Sequence, residues 1–235
     1  MKQSVAVDCA VVTGAGRGIG RAVSVALAGR GLAVALLART VSELDETARL
    51  LDEAGSQRGH AVIPCDVTDS LAVTSARDIV LATLGVPRVV INNAGMVHRS
   101  RTEHTSEDDW DAVVDVNLKG TFLVTRAFLP AMLERGRGRI VNVSSISATL
   151  GTAGQGAYNA AKWGVVGFTK SLAEELRGTG LQAMALLPGA VDTKMLEGSG
   201  FSPQMSPRAV AEALVFAALD AADAMNGSAI EMFGA

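Results

Sequence analysis

Aromatic side chains are scarce in this sequence of 235 residues, where they make up 4 % and include a single tyrosine, Tyr158. The two cysteines, Cys9 and Cys65, lie in separate apolar runs, which predicts buried thiols in a reducing environment rather than a disulfide framework. The cysteines and the three histidines show no metal-ligand spacing, so we expect no metal site.

Long hydrophobic runs and a strong charge of either sign are also missing. No apolar stretch reaches the length of a membrane span, and the N-terminal apolar run is too short for a signal peptide, so we expect a soluble cytoplasmic protein. The net charge of −3 and the pI near 5.6 argue against nucleic acid as the main partner.

Short β-branched runs and helical patterns alternate along almost the whole chain. The predicted strands are 9–13, 32–38, 60–64, 88–91, 139–143, 181–187 and 228–232. The predicted helices are 18–29, 41–54, 69–84, 106–134, 156–177 and 206–222. Near-continuous apolar strands in strict alternation with helices indicate a parallel sheet that is covered on both faces. We therefore predict a single doubly wound Rossmann-type α/β domain over residues 1–235, with a parallel seven-stranded sheet flanked by helices.

A glycine-rich turn, TGAGRGIG (13–20), follows the first strand and leads directly into a helix. Glycines allow a sharp turn and let a diphosphate approach the amides at a helix N-terminus. The alternative is an ordinary tight loop, but the strand before it and the helix after it favour a dinucleotide site. The candidate cofactor-binding residues here are Gly14, Gly16, Arg17, Gly18, Ile19 and Gly20.

The end of the second strand bears on the choice between NAD and NADP. An acidic residue there grips the ribose hydroxyls, whereas a basic residue accommodates a 2′-phosphate. In this chain Arg39 follows the strand, and the first carboxylate is Glu43. We predict NADP(H), held by Arg39 and by Arg17 from the glycine turn; the alternative is that both are ordinary surface arginines.

Tyr158 stands four positions before Lys162 in a predicted helix. Residues at this spacing share one helix face, and a nearby ammonium favours the phenolate and lowers the pKa of the phenol. A tyrosine with a lowered pKa is a plausible general acid. The alternative is a surface tyrosine that packs on a lysine stem.

Together these features resemble the short-chain dehydrogenase/reductase family. The matching motifs run in order along nearly the whole chain: TGAGRGIG (13–20), CDV (65–67), INNAG (91–95), VNLKG (116–120), VSS (143–145), YNAAK (158–162) and PGAVDT (188–193). Within the family, the segment 154–176 is most similar to 3-oxoacyl-acyl-carrier-protein reductases.

The resemblance implies a catalytic set of Asn117, Ser145, Tyr158 and Lys162. Tyr158 would protonate the carbonyl oxygen, Lys162 would lower the pKa of the phenol and hold the nicotinamide ribose, and Ser145 would orient the substrate oxygen. Asn117 would bind a water that links the lysine to solvent. As purely structural alternatives, Asn117 is a satisfied helix kink and Ser145 is a cap at a strand end.

The resemblance also implies the remaining cofactor contacts. These are Asp66 and Val67 at the adenine, Asn93, Ala94 and Gly95 after the fourth strand, Tyr158 and Lys162 at the ribose, and Pro188, Gly189, Val191 and Thr193 beside the nicotinamide. The alternative for Asp66 is a turn or helix-start carboxylate. The glycine-bearing segment 194–206, called the lid segment below, is expected to be a short mobile cover over the substrate.

Three functions remain open. The first is an NADPH-dependent reductase of a 3-oxoacyl thioester. The second is an enzyme with the same chemistry that acts on another ketone, a secondary alcohol or a sugar. The third is a non-catalytic regulatory protein that binds NADP(H). The basic stretch RGRGR (135–139) either docks an acyl carrier protein or is a solvated turn. The family commonly forms tetramers, so a homotetramer or homodimer is expected.

Overall fold

One parallel sheet forms the centre of the molecule in the computed structural model, which describes residues 8–54 and 58–234. In this described part the strands are β1 (Cys9–Thr13), β2 (Ala33–Ala38), β3 (His60–Pro64), β4 (Pro87–Asn92), β5 (Gly138–Val143), β6 (Leu181–Pro188) and β7 (Ala229–Met232). They lie in the order β3-β2-β1-β4-β5-β6-β7, and every neighbouring pair is parallel. The predicted fold is confirmed, with strand ends within about a residue of the prediction.

Helices cover both faces of this sheet. Over the same described ranges they are α1 (Gly18–Gly29), α2 (Val41–Glu53), α3 (Ser70–Thr83), α4 (Glu107–Val114), α5 (Gly120–Arg135), α6 (Gly156–Glu175) and α7 (Pro207–Val215). Alternate residues of each strand point to opposite faces, so Val12 joins the core beneath α1, α2 and α7, whereas Val11 joins the core beneath α3, α5 and α6. This double burial explains why the strands are apolar at every position.

The order of the strands creates the crevice in which a site can form. The chain runs from β1 outward to β3 and then returns to β4 on the other side of β1. The loops after β1 and β4 therefore leave in opposite directions at the carboxyl edge of the sheet. Ligands of doubly wound sheets bind at this switch point.

A π-helical turn, Asp115–Lys119, joins α4 to α5 and makes them one interrupted helix. The sequence predicts one helix over 106–134, with a kink as the structural alternative for Asn117. The extra residue in the turn breaks the backbone ladder, and Nδ2 of Asn117 donates to the freed carbonyl of Val113 at 2.8 Å. A second π turn, Phe216–Asp220, similarly ends the helix predicted over 206–222.

The basic stretch RGRGR (135–139) is mostly not the solvated turn that was one of its two predicted alternatives. The side chains of Arg135 and Arg139 are only 14 % exposed. Arg135 binds Asp8 and donates to the carbonyl of Val86, and Arg139 donates to the carbonyls of Ala217 and Ala221. Only Arg137, at 64 %, is largely exposed, and it also pairs with Asp8. Because these contacts lie where β5 begins, the stretch is at the edge of the sheet opposite the crevice.

Both cysteines are buried and free, as predicted. Burial raises the pKa of each thiol to about 11. No helix in the described ranges is long and apolar enough to cross a membrane. The prediction about a signal peptide falls largely on residues 1–7, which lie outside the described residues.

Candidate active site

A cleft of about 1890 Å³ opens along the carboxyl edge of the sheet. All of the site residues predicted from the sequence line it except two, Gly20 and Asn117. Gly20 is buried behind the glycine turn, and Asn117 is fully buried. The structure therefore brings the predicted catalytic and cofactor-binding residues to one continuous site.

The glycine turn leaves the N-terminus of α1 open towards the cleft. Gly14 and Gly18 have φ of 63° and 54°, a backbone region that other residues rarely adopt. A Cβ on Gly20 would lie 2.1 Å from the carbonyl oxygen of Gly14, so only glycine lets the helix pack so closely on the turn. No side chain caps the first amides of α1. The turn thus fits a phosphate-bearing cofactor.

Two side chains that the sequence did not predict hold this turn in place. Nε of Arg21 donates to the carbonyl oxygen of Gly16 at 3.0 Å and to Oγ1 of Thr47 at 3.1 Å. Thr47 in turn donates to the carbonyl of Ala15 at 2.9 Å. The Arg21–Thr47 hydrogen bond joins α1 to α2 across 26 residues of sequence, so no local sequence pattern predicts it.

Asn93 fastens the loop after β4 to the glycine turn. Its Nδ2 donates to the carbonyl oxygen of Thr13 at 3.0 Å, and the amides of Asn93 and Ala94 donate to Oγ1 of Thr13 at 2.9 and 3.0 Å. Beyond them, a Cβ on Gly95 would lie 2.9 Å from Oδ1 of Asn117 and 3.6 Å from Nζ of Lys162. Gly95 therefore lies beside both groups, and an added methyl group there would clash with Oδ1 of Asn117.

Charged residues surround the end of the cleft near β2 and β3. Arg39 is 71 % exposed, and its guanidinium lies 4.0 Å from the carboxylate of Asp66. The other oxygen of Asp66 accepts from the amide and hydroxyl of Thr68 at 2.9 and 2.8 Å, and these bonds with the charge of Arg39 hold its pKa below the usual value. Glu43 pairs with Arg17 at 3.2 Å. Asp66 thus stabilises the turn at Thr68 with one carboxylate oxygen, and its other oxygen lies on the side of Arg39 and the cleft.

Tyr158 and Lys162 are both buried on α6, with Nζ of Lys162 5.6 Å from the centre of the phenol ring. Burial raises the pKa of Tyr158, although the Ser145 hydroxyl and the charge of Arg99 oppose it. Burial lowers the pKa of Lys162 to about 8. The prediction that Lys162 brings the phenol pKa down is wrong for this structure, because the loss of water around both groups outweighs their proximity.

The two serines at the end of β5 point in different directions. Oγ of Ser144 donates to the carbonyl oxygen of Lys162 at 2.9 Å and so ties β5 to α6. Oγ of Ser145 accepts from the amide of Ser147 at 3.1 Å and lies near the phenol of Tyr158. Ser145 therefore caps a short turn, as its structural alternative holds, and also faces the cleft beside the tyrosine. Lys162 is itself fixed by a 2.9 Å bond from Nζ to the carbonyl oxygen of Val143.

Asn117 supports the site from behind. Its Nδ2 donates to the carbonyl oxygens of Met96 and Val113 at 2.7 and 2.8 Å. Its Oδ1 is buried and accepts from no group of the described residues. Asn117 is thus a helix kink, as its structural alternative holds, and also offers an acceptor towards Lys162 across Gly95.

Exposed apolar side chains surround the other half of the cleft. Between 39 % and 58 % of each is exposed, and they form what we call the apolar rim, consisting of Leu150, Met195, Phe201 and Phe233. Pro188 and Gly189 form the floor, and the amide of Gly189 donates to the carbonyl of Met232 at 2.8 Å. The sequence did not predict the rim, because its members come from distant loops.

Residues 8–201 match the family described as short chain dehydrogenase. A (3R)-3-hydroxyacyl-CoA dehydrogenase from Homo sapiens is 39 % identical over 96 % of this chain and 94 % of its own. A variant of actinorhodin polyketide ketoreductase, crystallised with NADPH, has a TM-score of 0.91 and 33 % identity, covering 97 % of this chain and 96 % of its own. Levodione reductase has a TM-score of 0.92 and 28 % identity, covering 97 % and 96 %.

These likenesses span almost the whole chain and include the cleft. The human relative is named for a CoA thioester rather than for the carrier-protein thioester that the sequence resemblance implies. The coarser prediction is confirmed: this chain belongs to the short-chain dehydrogenase family and is an oxidoreductase of carbonyl and alcohol groups that uses a nicotinamide cofactor.

Proposed function

We propose that the protein is an NADPH-dependent reductase of 3-oxoacyl thioesters, which it converts to 3-hydroxyacyl thioesters. The observation that carries this proposal is the apolar rim, which lines the same cleft as Tyr158 and Ser145. Exposed apolar clusters at a cleft mark ligand surfaces, and an acyl chain is the matching ligand. The name of the human relative supports it, because a 3-hydroxyacyl thioester is the product of this reduction.

In the proposed chemistry, side chains of the cleft donate a proton to the carbonyl oxygen of the substrate and hold that oxygen in position. When bound, the nicotinamide cofactor supplies the hydride. Oη of Tyr158 donates its proton to the carbonyl oxygen of the substrate as negative charge develops there. Oγ of Ser145 donates a hydrogen bond to the same oxygen and holds it in place. Burial, which raises the pKa of the phenol, keeps it protonated until the substrate needs the proton.

Lys162 and Asn117 are proposed to restore that proton. Oδ1 of Asn117 and Nζ of Lys162 both lie beside Gly95, 2.9 and 3.6 Å from the position that an added Cβ would take, and one water that bridges the two groups is part of the proposal. The pKa of Lys162, about 8, lets its ammonium release a proton near neutral pH far more readily than an exposed lysine does. This pairing gives the unsatisfied Oδ1 of Asn117 a function.

The test is an assay of NADPH oxidation with a 3-oxoacyl-CoA, a short 3-oxoacyl thioester analogue, a carrier-protein thioester and a panel of simple ketones, alcohols and sugars. We expect the long acyl thioesters to give the highest kcat/KM. Tyr158→Phe should bind NADPH normally and lose roughly 10²- to 10⁴-fold in turnover. Preference for a simple ketone would establish the second function, and NADPH binding with no turnover on any substrate would establish the regulatory one.

The two serines provide a matched pair. Ser145→Ala should lower turnover by roughly 10²-fold or more, and it should also lower the free energy of unfolding by about 1 kcal/mol because the amide of Ser147 loses its acceptor. Ser144→Ala removes the bond to the Lys162 carbonyl and should lower the free energy of unfolding by about 1 kcal/mol, with a smaller effect on turnover. Equal turnover losses in the two variants would remove Ser145 from the proposed mechanism.

NADPH rather than NADH is proposed because Arg39 is 71 % exposed at the cleft and its ion pair with Asp66 is long, at 4.0 Å. A charged hydrogen bond to the 2′-phosphate is worth roughly 10- to 100-fold in affinity. Glu43, the first carboxylate after β2, is paired with Arg17 at 3.2 Å, and this pair competes with any grip on a ribose diol.

Titration of both cofactors by nucleotide fluorescence tests this choice. Arg39→Ala should weaken NADPH by roughly 10- to 100-fold and leave NADH nearly unchanged. Ala38→Asp should go further, because it adds a repulsive charge against the phosphate. Arg49→Ala, an exposed arginine of α2 that pairs with Glu46 and Glu53, is the control. An unmodified protein that prefers NADH would contradict the assignment.

Association through α5 and α6 is also part of the proposal. Phe122 and Phe168 form an edge-to-face pair at 6.2 Å, Arg126 lies 5.1 Å from the Phe122 ring, and Trp163 is exposed nearby on α6. A Cβ added to Gly167 would meet no atom of the described residues within 4 Å, so this part of α6 is open to a second subunit. Sedimentation of the protein and of Trp163→Glu tests whether a homodimer or homotetramer depends on this face.

The buried, unpaired thiols support a cytoplasmic location.

A further inference from the structure

Arg99 lies in the loop that follows β4, and the rest of this loop is held firmly. Asn93 binds the glycine turn at one end. At the other end the amide of Ser100 donates to the carbonyl oxygen of Gly154 at 2.9 Å, and Ser100 pairs with Gln155 just before α6. The backbone of Arg99 is therefore fixed relative to both the cofactor half of the cleft and the helix that carries Tyr158.

The side chain of Arg99 reaches across to the lid segment. Its guanidinium donates to the carbonyl oxygen of Met195 at 2.7 Å and to that of Glu197 at 3.4 Å. In the described ranges no carboxylate lies within ion-pair distance of Arg99, whereas its neighbour Arg101 pairs with Glu103. A planar guanidinium suits this contact, because its fork can engage two acceptors at once.

The lid segment has few other attachments. Its C-terminal end is held by amides of Gln204 and Met205 that donate to the carbonyl of Ala190 at 2.8 and 3.1 Å. Between 194 and 203 the other hydrogen bonds of the described residues are local, such as Leu196 to Thr193 and Ser199 to Leu196. Gly198 and Gly200 have φ of 69° and 79°, and a Cβ added to either would meet no atom of the described residues within 4 Å. The middle of the segment is thus joined to the body of the molecule by Arg99.

We propose that Arg99 is a positioning residue that fastens the lid segment over the substrate half of the cleft and so places Met195 and Phe201 of the apolar rim against the acyl chain. This proposal rests on the proposed function in one respect only, namely that the part of the substrate under the lid segment is an acyl chain. Two exposed hydrogen bonds form a weak fastening, which suits a cover that must open in every catalytic cycle.

Hydrogen exchange of the full-length protein, followed by mass spectrometry, tests the fastening without any substrate. In Arg99→Ala the segment 194–203 should exchange about tenfold faster, because removing bonds of this kind changes an opening equilibrium by about that factor. Arg101→Ala is the matched control and should leave the exchange unchanged. Arg99→Lys keeps the charge but loses the fork, so its exchange should resemble that of Arg99→Ala.

Kinetics then show whether the fastening matters to the substrate. Arg99→Ala should raise KM for a long-chain 3-oxoacyl thioester about threefold to tenfold and leave KM for a short-chain analogue nearly unchanged. Exchange in Arg99→Ala equal to that in Arg101→Ala would overturn the proposal. An unmodified protein that is inactive on thioesters would overturn the proposed function instead and would leave the exchange result standing.

Discussion

Tyr158 and Lys162 are buried side by side, and burial favours the uncharged form of both. The phenol therefore holds its proton more tightly than a free tyrosine does, and the lysine holds its proton less tightly than a free lysine. The step that delivers a proton to the substrate thus depends on contacts made in the cleft, such as the Ser145 hydroxyl. The step that restores it benefits from a lysine whose pKa is about 8.

The lowered pKa of Lys162 makes the stability of the protein depend on pH. Between about 8, its folded pKa, and 10.5, its ordinary pKa, the unfolded chain binds a proton at this site that the folded protein does not bind. The contribution of Lys162 to stability therefore rises with pH across this window and is constant below it. The full gain is about 3 kcal/mol at most.

Lys162→Met should therefore be more stable than the unmodified protein near neutral pH, because it removes a buried charge. We expect the difference to narrow as the pH rises from about 8 to about 10.5. Urea unfolding of both proteins over this range measures it. The thiols of Cys9 and Cys65 have a pKa of about 11 in the folded protein and are present in both proteins, so the comparison cancels them. A difference that does not change with pH would show that Lys162 keeps an ordinary pKa.

At the scale of a single element, two of the three glycines of α1, Gly20 and Gly29, have different structural roles. Gly20 faces the glycine turn, where a Cβ would lie 2.1 Å from the backbone oxygen of Gly14. Gly29 ends the helix with nothing within 4 Å of its Cβ position. One position requires glycine, and the other tolerates any good helix former.

Gly20→Ala should therefore displace the turn, lower the free energy of unfolding by several kcal/mol and abolish cofactor binding, since backbone atoms cannot yield to the added methyl group. Gly29→Ala should raise the free energy of unfolding by about 0.5–1 kcal/mol and leave binding unchanged. Urea unfolding and cofactor titration measure both effects. Normal NADPH binding by Gly20→Ala would contradict this account of the turn.

The elements themselves were predictable, because each leaves a local pattern. Continuous apolar runs predicted β1 to β7, and the glycine turn and the Tyr158–Lys162 spacing marked two parts of the cleft. A kink at Asn117 was given as an alternative, but the π turn itself was not predicted, since one extra residue in a helix leaves the apolar period almost unchanged. Arg21, Arg99 and the apolar rim were missed because their partners lie far away in sequence. RGRGR (135–139) was misjudged for the same reason, as Asp8 lies 127 residues before Arg135.

At the scale of the whole molecule, the carboxyl edge of the sheet carries the candidate site, and the amino edge carries contacts that stabilise the fold. The carboxyl edge forms the cleft, and at the amino edge Asp8 binds Arg88, Arg135 and Arg137 and so joins the starts of β1 and β4 to the end of α5. Burial alone raises the pKa of Asp8, but the hydrogen bond from Arg88 and the charges of Arg135 and Arg137 hold it below 3.8. The edges are about 17 Å apart along β5.

Asp8→Asn should lower the free energy of unfolding near neutral pH by about 1.5–3 kcal/mol, because three guanidinium groups lose their shared anion. The depressed pKa means that the stabilisation is present above pH 3.8 and is lost as the pH falls through the folded pKa. Urea unfolding at several pH values should show the two proteins converging only below about pH 4. Asp78→Asn, at an exposed pair with Arg77, is the control, and turnover should not change in either variant.

The solitary tyrosine has a practical consequence for experiments on the molecule. Because Tyr158 is the only phenol in the chain, the ultraviolet absorbance of tyrosinate reports on this one group, with no background from other tyrosines. The two tryptophans, Trp110 and Trp163, both lie outside the cleft lining, so their fluorescence reports on other surfaces. An alkaline titration by absorbance is thus a direct reading of the proton at the centre of the proposed chemistry, obtained without a label, a substrate or a mutation.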